Sequence, residues 1–81
     1  MRQKPIAPRR ALNPFLLRRV NASRKKRKAL ATLAGFACDQ QQYFVLRQER
    51  IAATPLMVER LGRLADAIGF PRDEIFLDGL R

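Results

Sequence analysis

An 81-residue chain with 17 Lys and Arg against 7 Asp and Glu carries a formal net charge of +10 at pH 7, and it contains no histidine and a single cysteine, Cys38. Those counts exclude a disulfide, a Cys/His zinc cluster and an imidazole base, and the length allows one small domain with too little core for an elaborate active site. The longest uncharged, mainly apolar run, Ala29 to Cys38, is far too short to cross a bilayer, and the Phe15-Leu16-Leu17 patch is too short for a secretory segment, so a soluble, cytoplasmic protein is expected.

Along the chain, residues 1–28 hold eleven basic side chains and no acid, whereas residues 29–81 hold six basic and seven acidic ones. A regularly spaced polyanion is the natural counterpart of such a segment, because each phosphate neutralised by Lys or Arg releases condensed counterions. A solvated tail or an organelle-targeting presequence has the same composition. Residues 1–12, with Pro5, Pro8 and four basic side chains, read as a flexible basic arm, in which Arg9 and Arg10 are candidate phosphate contacts. The remainder, 13–81, reads as the folded domain. Asn13-Pro14 supplies a cap and a proline at the first helical position, which predicts a helix over about 14–22. Ser23 is the expected cap of a second helix opening on Arg24-Lys25-Lys26-Arg27-Lys28, a basic first turn where the helix dipole favours acids. That mismatch points to phosphates as the missing anions.

Ala29, Leu30, Leu33 and Ala34 fall at helical spacing on the core face of this second helix, and Gly35 ends it. Asp39 is the expected cap of a third helix from Gln40 to about Gln48, with Tyr43 in the core and Cys38 half-buried before it. Thr54-Pro55 repeats the cap-and-proline start for a fourth helix, whose buried stripe is Met57, Leu61, Leu64, Ala65 and Ile68 and whose stop is Gly69. Pro71 opens a last short turn with Asp73 and Glu74 at its start and Ile75, Phe76 and Leu77 turned inward. No segment alternates with period two for long enough to predict a strand, so the fold class is all-α: a compact bundle of about five short helices.

The stretch Val58-Glu59-Arg60-Leu61-Gly62-Arg63-Leu64-Ala65-Asp66-Ala67-Ile68-Gly69-Phe70-Pro71-Arg72-Asp73-Glu74-Ile75-Phe76 is similar to the fourth helix and closing Asp-Glu-Leu-Phe of the Cro and phage-repressor (XRE-like) helix-turn-helix family. Ala29-Leu30-Ala31-Thr32-Leu33-Ala34-Gly35-Phe36 is similar to the family's Leu-Ala-x-x-Leu-Gly-Val, so the resemblance covers about residues 24–77. It implies a sequence-specific regulator of transcription that binds double-stranded DNA, a repressor acting by operator occupancy at the nucleoid. It further implies that helix three is the recognition helix and that the start of helix two lies on phosphates. Gln40, Gln41 and Gln42 then become candidates for adenine, Arg47 for a guanine or a phosphate, and Arg24, Lys25, Lys26, Arg27 and Lys28 for the backbone. Phe44 and Val45 read as core or partner-facing residues or as thymine-methyl contacts. Pairing on two half-sites is expected of such modules, with residues 70–80, including Phe70, Phe76 and Leu80, as the candidate homodimer contact.

Two other classes share these features: a basic RNA- or ribosome-associated protein, and an antitoxin or adaptor that grips a protein with its helices. Catalysis, a cofactor, a metal and a small-molecule substrate are not expected. Asp66, Asp73, Glu74 and Asp78 serve as helix caps or solvated charges, and no nucleophile-base pair is visible.

Overall fold

Four helices account for most of residues 8–77, the part of the chain that the computed structural model describes, and a two-stranded antiparallel ribbon ties its beginning to its middle. The order is β1 (Arg9–Ala11), α1 (Pro14–Ala22), α2 (Arg27–Ala34), α3 (Asp39–Leu46), β2 (Arg50–Ala52), α4 (Pro55–Ile68) and a 3-10 turn at Arg72–Glu74. The domain is mostly helical, as expected. The expected all-α bundle of five helices is corrected to four, with a ribbon added and a 3-10 turn where the fifth helix was placed.

Local chemistry sets the helix ends. The Asn13 side chain accepts the Phe15 N–H at 3.0 Å ahead of Pro14, and the Thr54 hydroxyl accepts the Met57 N–H at 3.1 Å ahead of Pro55. α2 and α4 stop at Gly35 (φ 95°) and Gly69 (φ 73°), left-handed conformations in which a side chain would be strained. Two caps differ from expectation. Ser23 closes α1 rather than opening α2, whose N-cap is Lys26 with no side-chain hydrogen bond. Cys38 rather than Asp39 caps α3, its exposed thiol accepting the Gln41 N–H at 3.4 Å.

The ribbon corrects the boundary of the basic arm. Arg10 pairs with Ile51, and Leu12, a buried core residue, donates its N–H to the Glu49 carbonyl at 2.9 Å. On the other side of this segment, the Leu77 N–H reaches the Ala11 carbonyl and the Asn13 N–H reaches Ile75, both at 2.9 Å. Residues 9–12 are therefore laced between β2 and the C-terminal segment, while residues 1–7 of the expected arm lie outside the described residues. Three-residue strands are too short to display an alternation, which is why no periodicity announced them.

α4 packs chiefly against α2, and Leu61, Leu64, Ala65, Leu30, Ala31, Ala34, Leu16 and Val20 fill the centre. Phe70, Ile75 and Phe76 close the bottom of this core, so Phe70 and Phe76 are not available for the self-contact suggested above. Leu77, by contrast, is 60% exposed and Leu33 projects from α2 into solvent, both against expectation, and Leu80 lies outside the described residues. Arg72 forks onto Asp66 with hydrogen bonds of 3.0 and 2.7 Å, and this contact holds the Asp66 carboxyl below its ordinary pKa. The bridge is exposed and pins the 3-10 turn to α4, where the small Gly62 leaves room for the guanidinium.

Among the described residues Gln42 is the one polar side chain buried in this core, 1% exposed, and its Oε1 has no hydrogen-bond partner there. An orphaned buried acceptor costs about 1–3 kcal/mol, so Gln42→Met, which keeps the length and removes the acceptor, is expected to raise stability by about 1 kcal/mol. Urea unfolding measures this directly, and a lowered midpoint would mean that the amide is satisfied in solution.

Candidate nucleic-acid interface

The basic first turn of α2 and the outer face of α3 meet at one cleft of about 410 Å³, lined by Arg27, Asp39, Gln40, Tyr43, Phe44 and Arg47. Four of these, Gln40, Tyr43, Phe44 and Arg47, are spaced i, i+3, i+4 and i+7 and so form one continuous stripe on α3. Tyr43 has two guanidinium groups near its ring, Arg27 at 5.6 Å and Arg47 at 5.5 Å from the ring centre. These contacts carry the positive charge of α2 onto the α3 stripe. Tyr43 is therefore a surface platform at the margin of the core rather than a core residue, which corrects its expected place.

The cations at residues 24–28 are all exposed, and none makes an ion pair among the described residues. No acid stands in the first turn of α2 and no side chain caps it, so its leading N–H groups lie beside the positive charges of Lys26, Arg27 and Lys28 with no anion to offset them. Like charges at a positive dipole end are mutually unfavourable, and an anion relieves both. Asp39 contributes the opposing sign at the first turn of α3, where the dipole stabilises it.

The three glutamines do not act together. Gln42 points into the core and is withdrawn from any groove, which overturns its assignment as a base reader. Gln41 is exposed, but its Oε1 accepts the Ala37 N–H at 2.9 Å while its own N–H goes to the Cys38 thiol, a reciprocal cap that fixes the turn before α3. A bidentate adenine contact needs amide oxygen and nitrogen together, so Gln41 would have to give up that cap. Gln40 is exposed and its side chain makes no hydrogen bond among the described residues, and Arg47 is exposed at the C-terminal end of the stripe.

Arg9 and Arg10 are held elsewhere. The Arg9 guanidinium donates to the Arg50 carbonyl at 3.1 Å, and that of Arg10 lies 4.2 Å from the centre of the Phe76 ring, by a cleft shared with Gly62 and Arg72. Neither lies on the α2–α3 cleft. Sequence reasoning missed Tyr43 as part of this surface and left Phe44 open between the core, a partner and a thymine methyl, although their spacing from Gln40 and Arg47 was the signal that could have placed both here. Val45 is buried, while Phe44 is 65% exposed. Among the described residues no group of His, Cys, Asp and Glu could hold a metal ion, and no helix is long and apolar enough to cross a membrane. Comparison with protein-family models, with curated proteins and with solved structures returns no match.

Proposed function

We propose that this chain is a sequence-specific duplex-DNA-binding regulator that acts by occupying an operator, with residues 24–28 on the phosphate backbone and the α3 stripe in the major groove. The observation that carries this reading is the juxtaposition at Arg27, where a helix start with no side-chain cap, no acid and Lys26, Arg27 and Lys28 at its head adjoins an exposed stripe of hydrogen-bonding and aromatic side chains. Backbone contacts supply affinity without sequence information, and the stripe supplies selection. No cofactor or small molecule enters this mechanism. Two such modules on adjacent half-sites remain part of the proposal, without a contact from Phe70 or Phe76.

Selection of bound duplexes from a random pool tests the reading, with enrichment of a short motif as the expected result and uniform, charge-driven binding as the result against it. On the selected site, Gln40→Ala and Arg47→Ala are each expected to cost about 1–3 kcal/mol while leaving random-duplex binding nearly unchanged. Gln42→Ala is expected to lower stability without altering the preferred sequence. Measuring affinities on both DNAs separates the two classes of variant.

A second reading has one observation in its favour. Phe15 and Phe44 are exposed beside arginines, with the Arg18 guanidinium 5.2 Å from the Phe15 ring centre, and such pairs can stack unpaired bases as single-strand RNA readers do. Competition of bound duplex by single-stranded RNA of equal charge decides between them.

A further inference from the structure

Resting on the reading of α3 as a groove-reading helix, we infer that Phe44 is a specificity residue for thymine, recognising the C5 methyl group of one base in the core of the site. An exposed phenylalanine alone is ordinary, because much of any protein surface is apolar. Its surroundings are what distinguish Phe44. The ring stands 65% exposed, one turn from Gln40 and one turn from Arg47, on a surface bordered by Arg27 and the other cations of the α2 start. An apolar protein partner would have to desolvate those charges to reach the ring. A polyanion neutralises them, and the apolar group a duplex presents in its major groove is the thymine methyl.

The geometry limits the footprint. From Gln40 to Arg47 the helix rises about 10 Å at 1.5 Å per residue, which is roughly three base pairs at 3.4 Å each. Phe44 lies between the two, so its thymine falls between the base met by Gln40 and the base met by Arg47. Gln40 suits adenine and Arg47 suits guanine, each by a pair of hydrogen bonds. The site core is thus a three- to four-base-pair element with a thymine inside it. The same chemistry separates DNA from RNA, because uracil lacks the methyl and the A-form major groove is too narrow for side chains to read.

The test uses the full chain and the duplex enriched by selection, with each thymine replaced in turn by deoxyuridine. That exchange removes one methyl and leaves base pairing unchanged. One thymine in the core is expected to be methyl-dependent, with affinity falling about fourfold when its methyl is removed, the value of one buried carbon group. Phe44→Ala should lose a similar factor on the thymine duplex and show no further loss on the deoxyuridine duplex. Its exposed side chain makes the variant's thermal midpoint a check on folding. Equal binding of every deoxyuridine duplex by the wild type, or undiminished methyl dependence in Phe44→Ala, overturns the thymine assignment and leaves operator binding standing. A pool that yields no enriched motif overturns both.

Discussion

Neutralising Lys25, Lys26, Arg27 and Lys28 together to glutamine is expected to lower affinity for every duplex, selected or random, by roughly three orders of magnitude at low salt. Four phosphate contacts at about 0.9 each would also reduce the slope of log affinity against log salt by about 3.6. The ratio of specific to random binding should change little, because phosphates are the same in every sequence. Folding should not suffer. All four side chains are exposed, and they place positive charge at the positive end of the α2 dipole, so their removal is expected to leave the thermal midpoint unchanged or slightly raised. Loss of binding with a gain of stability is the signature of charges retained for a partner rather than for the fold. A quadruple variant that binds as tightly as the wild type, with an unaltered salt slope, would move the contact away from α2 altogether.

The largest effect on the fold is expected at Leu61. Its side chain is fully buried in α4, the helix that packs most extensively on α2. Leu61→Ala should cost about 2–5 kcal/mol through lost burial and the cavity left behind, a drop of roughly 10–30 °C in thermal midpoint for a domain of this size. Because small domains are marginally stable, much of the variant would then be unfolded at physiological temperature and its binding lost on all DNAs alike. Leu33→Ala is the matched control. Leu33 belongs to the same apolar pattern but projects from α2 into solvent, so its truncation should stay within about 0.5 kcal/mol of wild type. Thermal unfolding of the pair followed by circular dichroism makes the comparison, and similar midpoints for both variants would contradict the packing described here.

The contrast between Leu61 and Leu33 bears on what was legible in the chain. α1 and α4 were readable to the residue, because Asn13-Pro14 and Thr54-Pro55 act through hydrogen bonds to their own next turn and Gly69 acts through its own φ. The charge asymmetry was readable too, as was the mismatch between a basic turn and the dipole of α2. Each of these depends only on neighbours in sequence. The rotation of each helix about its axis does not. α3 carries little apolar bias toward one side, so nothing local told which of Gln40, Gln41 and Gln42 would face inward; at about 100° per residue, three adjacent side chains must diverge. Packing of α3 against α1 and α2 buried Gln42, left Gln40 outside, and brought Tyr43 and Phe44 to the surface.

The ribbon was out of reach for a related reason. β1 and β2 gain their hydrogen bonds from a partner some forty residues away, at Arg10 and Ile51, and the same lacing draws Leu12 into the core alongside Phe70 and Phe76. By itself the sequence determined where α1 and α4 begin and end and where the positive charge lies, since caps, glycine stops and charge are properties of contiguous residues. Only the tertiary structure decided which face of α3 is presented beside that charge, because the choice depends on the summed burial of residues brought together from all four helices and the ribbon.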